Sequence, residues 1–384
     1  MKLFYLFILC AVIESNAQTI KVRLFSNRQV EAVNINYLCD DYTVIVDGIE
    51  VVTDGKVSIR VSNNQLSFVY NNEIIKSDII LIRQLKHGVN FKISTNLQPN
   101  YNSTLEGDAV ISCNNKEVVF TLNVELNAYL SGVVEAEAGG CSQIEMLKVQ
   151  AILARSYAIA NLNRHFAEGY NLCADQHCQV YKGKAKWNRL ADSAVLLTKN
   201  LILTDSNSKA IAALYHSNCG GKTGNIEELW NSSVPFFKQV EDPHCASGQH
   251  HSWQQLMDRN NWNRFVYTYT RDSSFLLPHH DIITEVYCHD DRPAYIFHGN
   301  NYISTALIRN HFNLKSAWFN LFACKDQLLL IGRGFGHGIG LCQEGAMKMA
   351  ANGKNYIEIL NFYYRNFHLV DAPISAIVKT KMPN

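Results

Sequence analysis

Residues 129–137 read Tyr-Leu-Ser-Gly-Val-Val-Glu-Ala-Glu, and they lie where the hydrophobic pattern of the chain changes from strand to helix. From Asn127 onward, apolar side chains recur at the spacing of a helix. Before that, from residue 18 to about 100, short alternating runs are broken by Asn, Asp and Gly, which is typical of strands and tight turns. We therefore predict an α+β protein, with a β-rich N-terminal domain over 18–100 followed by a mixed helix/strand domain over 101–384.

Several further elements are predicted from the same periodicity. A long helix is expected from about Gln143 to His165, because small and apolar residues recur on one stripe. The pattern also predicts a helix over Asn188–Thr198, strands over Leu201–Thr204 and Ala210–Tyr215, and two closing helices over Gly345–Ala351 and Tyr356–Tyr364.

Composition restricts the class of partner. The chain has 384 residues, 47% of them hydrophobic and 18% charged, which is typical of a well-buried globular protein of one large or two ordinary domains. The net charge is +1 and no basic run is present, so a nucleic-acid partner is not expected. A neutral or weakly charged polymer fits better.

The N-terminus has the pattern of a secretory signal peptide. Lys2 precedes a short apolar run, and Ser15 and Ala17 give small residues at the cleavage site, so residues 1–17 are predicted to be removed. The run is too short to span a bilayer, and no later stretch is long and apolar enough. We expect an exported protein of the periplasm or cell envelope, whose ten remaining cysteines could form disulfides.

Glu137 is the candidate acid. A glycosidic oxygen is a poor leaving group until it is protonated, and a partly buried carboxylic acid is the usual solution. Glu137 follows an apolar stretch and precedes Gly139 and Gly140, so it is expected at a helix end, whereas Glu135 would point elsewhere. The alternative is that both are solvated charges at a helix end.

His165, Cys173, His177 and Cys178 are candidate metal ligands. Two histidines and two cysteines within one short segment match a tetrahedral zinc site. A Cys173–Cys178 disulfide, or free thiols, would be the alternatives in an exported protein.

Two glycine-rich segments are candidate substrate loops. The first reads His216-Ser-Asn-Cys-Gly-Gly-Lys-Thr223 and lacks both the order of a phosphate loop and the elbow of a serine nucleophile. Cys219 in this loop and Cys245 beyond it are a possible disulfide pair. The second segment runs from Gly334 to Gln343.

In the second segment, alternating glycines would let the backbone approach a sugar closely, and His337 and Gln343 would supply hydrogen bonds. A tight structural turn is the alternative interpretation.

Taken in order, these stretches resemble the stage II sporulation protein D/LytB amidase-enhancer (SpoIID/LytB) domain family. The resemblance runs from about Tyr101 to the C-terminus. The matching pieces are Tyr129-Leu-x-Gly-Val-Val-x-x-Glu137, Leu147-Lys-x-Gln-Ala-x-x-Ala-Arg-Ser-Tyr-Ala158, Cys173-x3-His-Cys-Gln-Val-Tyr-x-Gly183, His216-Ser-x-Cys-Gly-Gly-x-Thr223, Trp230, Val240-x-Asp-Pro-x-Cys245 and Gly334-x-Gly-His-Gly-x-Gly-x-x-Gln-x-Gly-Ala346.

The resemblance implies a catalytic domain with a groove that acts as a lytic transglycosylase on peptidoglycan, with strands stripped of stem peptides as the preferred substrate. Its catalytic glutamate falls on Glu137, and its zinc-binding cluster falls on Cys173, His177 and Cys178, with His165 as fourth ligand. Four ligands would make the zinc structural. The predicted substrate-binding residues are Arg155, Tyr157, His216, Ser217, Gly220, Gly221, His337 and Gln343.

The sequence differs from the usual family pattern at two places, and the resemblance also allows an alternative function. Ala138-Gly139 follows the glutamate where the family commonly has Met-Pro or a similar pair, and Cys342 stands where Ser is common. The alternative function is a non-catalytic wall-binding module that enhances a cell-wall amidase. A zinc hydrolase acting on stem peptides is the weakest hypothesis, because four protein ligands would leave no open position on the metal.

Overall fold

A computed structural model describes residues 18–38, 40–70, 72–96, 101–230, 234–271, 291–298, 301–324 and 327–371. The predicted signal peptide lies outside these residues. Those described divide into two compact units, one of residues 18–136 and 161–186 and the other of 137–160 and 187–371. Both helices and several sheets are present, so the α+β prediction is confirmed.

The first unit is built mostly from strands. Its strands are β1 (Thr19–Leu24), β2 (Ala32–Asn36), β3 (Tyr42–Val46), β4 (Ile49–Val51), β5 (Lys56–Ser62), β6 (Gln65–Tyr70), β7 (Glu73–Ser77), β8 (Ile79–Gln84), β9 (Asn90–Thr95), β10 (Asn102–Glu106), β11 (Asp108–Asn114), β12 (Glu117–Glu125) and the short β13 (Leu172–Cys173). They form a seven-stranded sheet in the order β13-β1-β12-β11-β8-β3-β4 and a six-stranded sheet in the order β10-β9-β2-β5-β6-β7.

Period-two patterning explains these sheets. In β12 every second side chain is buried, from Val118 to Val124. The buried faces of the two sheets meet where β12 lies beside β2 and β5. The strand-rich prediction is confirmed, and the strands continue past residue 100, since β10 pairs with β9. A domain boundary at residue 101 stays a prediction.

Helix α1 (Leu126–Ala138) follows β12 without a loop. Tyr129, Leu130, Val133 and Val134 are buried on it, as the helical spacing predicts. A Cβ at Gly132 would collide with the carbonyl of Gly183, so this position needs glycine.

The second unit combines helices with smaller sheets. Its helices are α2 (Ile144–Ala160), α3 (Arg189–Leu197), α4 (Ile226–Trp230), α5 (Arg259–Thr270), α6 (Thr305–His311), α7 (Gln343–Ala351) and α8 (Tyr356–Tyr363). Its strands are β14 (Leu201–Thr204), β15 (Tyr215–His216), β16 (Ser252–Asp258), β17 (Tyr295–His298), β18 (Asn301–Ser304), β19 (Phe319–Cys324), β20 (Gln327–Arg333), β21 (Leu341–Cys342) and β22 (His368–Asp371).

Helix α2 is the centre of the second unit and packs against α3, α7, α8 and β14. It ends at Ala160, five residues before the predicted end, because a turn closes there: the Arg164 N–H donates to the carbonyl of Asn161. His165 therefore lies on a loop. The other predicted helices, and the strand over 201–204, are confirmed.

The predicted strand over Ala210–Tyr215 is wrong for most of its length, because only Tyr215 joins a strand, in β15. The backbone of this segment makes single hydrogen bonds to different partners. The Ile211 N–H donates to the Leu203 carbonyl, and the Leu214 carbonyl accepts from the Leu341 N–H and from the Tyr364 hydroxyl.

A separate core packs under the sheet β16-β20-β19, around Trp253, Trp262 and Phe319. Among the described residues, no helix is long and apolar enough to cross a membrane.

Candidate functional site

The two glycine-rich segments lie side by side in the second unit. Strand β15 pairs in parallel with β21, so that His216 is opposite Cys342. Beyond the strands, the Asn218 N–H donates to the Phe335 carbonyl (3.1 Å) and the Phe335 N–H donates to the Asn218 carbonyl (2.8 Å). Two motifs more than a hundred residues apart in sequence therefore form one structural feature.

The glycines of these loops serve this close approach between protein segments. Gly220 has a φ of 74° and Gly334 a φ of 77°, and a Cβ on either would collide with the opposite loop. A Cβ at Gly340 would meet the carbonyl of Leu214. At these three positions the space beside the glycine is therefore filled by another segment of the protein, and substrate binding by Gly220 stays a prediction. At Gly221 the nearest atom to a Cβ is in His251, at 3.7 Å, so that position is open.

Gln343 joins the second loop to the helix that carries Glu137. The Gln343 side-chain amide is buried and donates to the main-chain carbonyl of Glu137 (3.2 Å) and to Gln150 Oε1 on α2 (3.1 Å). Gln343 and the end of the helix with Glu137 are therefore neighbours through a contact inside the protein, and substrate binding by Gln343 stays a prediction.

The two glutamates of α1 occupy different environments. Glu137 lies in the last turn and is half-buried. Glu135 is buried, and its carboxylate accepts a hydrogen bond from the Lys186 N–H at 2.5 Å from Oε1 and 3.0 Å from Oε2. Glu135 thus holds a chain segment in place, while Glu137 keeps partial access to solvent.

His216 and His337 are adjacent rings that organise the loops. His216 is buried and its Nδ1 lies 3.1 Å from the Ile339 carbonyl. His337 is half-buried; its Nε2 lies 3.0 Å from the Tyr215 carbonyl and its Nδ1 accepts from the Ile339 N–H (3.0 Å). Burial lowers the pKa of His337 to about 4, and burial also holds the pKa of His216 well below its usual range.

This burial predicts a pH dependence of stability. An unfolded histidine titrates near pH 6.5, so as pH falls the unfolded chain takes up a proton before native His337 does. The free energy of unfolding should therefore fall between about pH 6.5 and about pH 4. Urea unfolding at about pH 7.5 and about pH 5 measures it, and His337→Gln should reduce the difference. An equal difference in the variant would contradict this assignment.

Ser217, His250 and Glu344 form a contact that the sequence did not reveal. Ser217 Oγ lies 3.4 Å from His250 Nδ1, and the same nitrogen is hydrogen-bonded to Glu344 Oε1. Because one nitrogen serves both, this is not the arrangement of a serine nucleophile, which needs opposite ring nitrogens. Glu344 Oε2 also accepts from the Asn218 side-chain amide (2.7 Å), so the carboxylate fixes the first loop.

Arg155 and Tyr157 are both buried on α2. The Arg155 guanidinium has no exposed surface and donates to the carbonyls of Val195 (3.1 Å), Thr198 (2.8 Å) and Leu201 (3.2 Å). It holds the end of α3 and the start of β14, which is a structural role in place of the predicted substrate contact.

A cavity of about 260 Å³ elsewhere in this unit is lined by none of the predicted site residues.

In the first unit, His165, Cys173, His177 and Cys178 converge, with their ligand atoms all within 4.8 Å of one another. Cys178 Sγ lies 3.5 Å from His165 Nε2 and 3.6 Å from His177 Nδ1, and Cys173 Sγ lies 3.7 Å from His177 Nδ1. Tetrahedral bonds of about 2.3 Å to sulfur and about 2.0 Å to nitrogen would place such atoms about 3.6 Å apart. We call this set the His/Cys cluster, and its geometry fits a zinc ion.

Glu168 and Tyr170 support His165, although no motif in the sequence marks them. Glu168 Oε1 lies 2.6 Å from His165 Nδ1, and the Tyr170 hydroxyl donates to Oε2 (2.8 Å). The bond to His165, followed by that from Tyr170, lowers the pKa of Glu168. A carboxylate at Nδ1 leaves Nε2 facing the cluster, as in many zinc sites. At His177, ligation through Nδ1 would require the Arg164 guanidinium, 3.1 Å from Nε2, to turn away.

Cys219 and Cys245 are both buried, with sulfur atoms 3.4 Å apart, and the structure contains them as free thiols. The predicted disulfide is therefore not formed in this structure, although the two sulfurs are neighbours.

A family model described as stage II sporulation protein matches residues 114–204. Among similar proteins, an uncharacterized protein of Brachyspira hyodysenteriae is 30% identical over 262 residues, which cover 66% of this chain and 68% of that protein. The chain belongs to the SpoIID/LytB family.

Two relatives with descriptive names come from Bacillus subtilis. Its stage II sporulation protein D is 28% identical over 272 residues, covering 65% of this chain and 76% of that protein. Its amidase enhancer is 26% identical over 284 residues, covering 61% of this chain and 39% of that protein. These similarities support a role related to the cell wall.

Proposed function

We propose that this protein is a peptidoglycan lytic transglycosylase that cleaves the bond between N-acetylmuramic acid and N-acetylglucosamine, in strands stripped of stem peptides. The observation that carries the proposal is the position of Glu137, half-buried at the end of α1, beside the Gln343 amide of the second glycine loop. A carboxyl group with partial access to solvent can reach a glycosidic oxygen and act on it as a general acid.

The chemistry needs one carboxyl group. Protonated Glu137 donates its proton to the glycosidic oxygen as the bond from C1 of the muramic unit breaks. The muramic C6 hydroxyl then attacks C1, and the Glu137 carboxylate accepts the hydroxyl proton. One bond breaks, one forms, the proton is returned, and no water is consumed. Because the nucleophile belongs to the substrate, the second carboxylate of a hydrolytic glycosidase is not required.

The products should therefore carry 1,6-anhydro-muramic ends. Mass spectrometry of fragments from peptide-stripped glycan measures this directly, because such an end is lighter by one water than a reducing end. Digestion in ¹⁸O-labelled water is the control, and no label should enter the new ends. Label at a reducing end would show hydrolysis and overturn the mechanism.

The His/Cys cluster of the first unit is the zinc site of this proposal. Its four nitrogen and sulfur ligands would complete a tetrahedral shell, so the ion would stabilise the fold and leave no position for a water. Glu168 would orient His165 from behind.

A second candidate function is enhancement of a cell-wall amidase without glycan cleavage, and the name of the amidase enhancer relative favours it. Wall binding would then be retained when Glu137 is replaced. Both functions place the protein outside the cytoplasm, in agreement with the signal peptide predicted over residues 1–17 and with residues 101–384 acting as the wall-directed domain.

A further inference from the structure

A second group of potential metal ligands lies in the second unit. Three sulfurs and one carboxylate meet there, with their ligand atoms all within 4.8 Å of one another and every side chain fully buried. We call this group the thiol cluster, and it consists of Cys219, Asp242, Cys245 and Cys342. Its members come from three separate segments: the first glycine loop, the turn at 242–245, and β21.

The spacing of the thiol cluster fits a zinc ion. Cys219 Sγ lies 3.4 Å from Cys245 Sγ and 3.4 Å from Asp242 Oδ2. Tetrahedral zinc would place two sulfurs about 3.8 Å apart and a sulfur and an oxygen about 3.6 Å apart. These two distances are within a few tenths of an ångström of the values for one bound ion, and the remaining ligand atoms lie within 4.8 Å.

The surroundings are those of metal-bound thiolates. The Cys219 N–H points at Cys342 Sγ (3.2 Å) and the Gly221 N–H points at Cys245 Sγ (3.2 Å). Main-chain N–H groups aimed at sulfur stabilise thiolate charge. Such donors, arranged around ligands that converge in this way, form the outer shell that orients a metal site.

The carboxylate is held in the same manner. The Tyr363 hydroxyl donates to Asp242 Oδ2 (2.8 Å) and the His244 N–H donates to Oδ1 (3.0 Å). A fully buried carboxylate is costly unless it is paired with a cation or binds a metal. The Arg292 guanidinium supplies a nearby buried positive charge, since its Nη2 donates to the Cys219 carbonyl (2.9 Å).

We propose that the thiol cluster binds one zinc ion, separate from the ion assigned to the His/Cys cluster. A Cys219–Cys245 disulfide is the competing arrangement. It would use two sulfurs and leave the Cys342 thiol and the Asp242 carboxylate buried beside it without a shared function. Zinc uses all four groups, and soft thiolate ligands favour it over hard cations such as Mg²⁺.

The bound ion would fix the two glycine loops to each other. Cys219 adjoins Gly220, and Cys342 adjoins Gln343, whose amide contacts the main chain of Glu137. The zinc would therefore act as a structural link beneath these loops.

The test is the zinc content of full-length protein purified under reducing conditions without added metal. We expect two zinc ions per chain in the wild type, and one fewer in Cys342→Ser. Asp242→Asn is the second variant, since it keeps the size of the side chain, one acceptor oxygen and all three thiols, while the other oxygen, which accepts from Tyr363 or from the His244 N–H, becomes an amide NH₂. It should bind this zinc more weakly by about 10-fold or more in a chelator competition. Cys113→Ser, at a half-buried thiol outside both clusters, should leave the content unchanged.

Cobalt substitution then counts the sulfur ligands. Cys178→Ser removes a ligand of the other cluster, so a cobalt ion that stays in this variant should show the thiolate charge-transfer intensity of three sulfurs. The proposal is overturned if Cys342→Ser and Asp242→Asn both retain wild-type zinc content and affinity. It is also overturned if peptide mapping of protein from the exported compartment shows a Cys219–Cys245 disulfide and no metal in this unit.

Discussion

Glu137→Gln should fold normally and lose glycan cleavage by about 10²- to 10⁴-fold, which is the usual effect of a positioned acid or base. The amide has the shape of the carboxylic acid but cannot supply the proton that the leaving oxygen needs. The contact from the Gln343 amide is to the main-chain carbonyl of residue 137, so the variant keeps it, and the amide has nearly the same size as the carboxyl group it replaces. Turnover of stripped glycan, normalised to folded protein, measures the effect.

Glu135→Gln is the matched control, two residues away on the same helix. Its carboxylate accepts the Lys186 N–H and is buried, so the substitution should lower the free energy of unfolding by about 1 kcal/mol. The folded fraction should keep its specific activity within a few-fold. If Glu135→Gln abolished cleavage and Glu137→Gln did not, the acid would be the other glutamate. If both retained cleavage, the transglycosylase proposal would be wrong.

The same pair of variants separates the two candidate functions. An enhancer that only binds the wall should stimulate an amidase equally well with Gln at position 137. A transglycosylase should lose its effect on glycan length while still binding insoluble peptidoglycan. Pull-down with wall material and chain-length analysis of the digested glycan therefore distinguish these outcomes in one preparation.

Local periodicity was sufficient to predict the strand-rich N-terminal region, β14 and helices α1, α2, α3, α7 and α8, because burial on one face determines them. It gave no individual prediction for α4–α6 or β16–β20, and it placed a strand over Ala210–Tyr215 where the backbone is mostly irregular. It could not predict how distant segments meet. The sequence marked both glycine loops, yet their mutual hydrogen bonds through Asn218 and Phe335 depend on the pairing of β15 with β21. The sequence also could not show why glycine is needed at positions 220 and 334, because the atoms that fill the space beside them come from another part of the chain.

The metal ligands illustrate the same limit. His165, Cys173, His177 and Cys178 are close in sequence, so their spacing alone indicated a site. Glu168 lies within the same segment, but only the fold shows that it faces His165 Nδ1. The thiol cluster was not predicted as a metal site, because Cys219 and Cys342 are 123 residues apart and become neighbours through β15 and β21.

Loss of metal from the His/Cys cluster should lower the melting temperature by about 10 °C, the shift expected when a tightly bound ligand of the native state is removed from a domain of this size. Outside the buried strand β13, few hydrophobic contacts can hold the segment 165–178, since Phe166 and His177 are exposed and His165 is half-buried. Cys178→Ser should show this shift and lose one zinc ion, while Cys113→Ser should show neither.

Glu168→Gln tests the same cluster without removing a ligand. Gln can still accept a hydrogen bond from His165 Nδ1 but lacks the charge that fixes this tautomer, so the affinity for zinc should fall by about 10- to 100-fold. A chelator competition measures that affinity, and the melting temperature at saturating zinc should return to the wild-type value. Because the ion is assigned a structural role, catalysis by the reloaded variant should be unchanged. A Cys173–Cys178 disulfide in the peptide map, with no metal bound by this unit, would replace the zinc assignment by a covalent one.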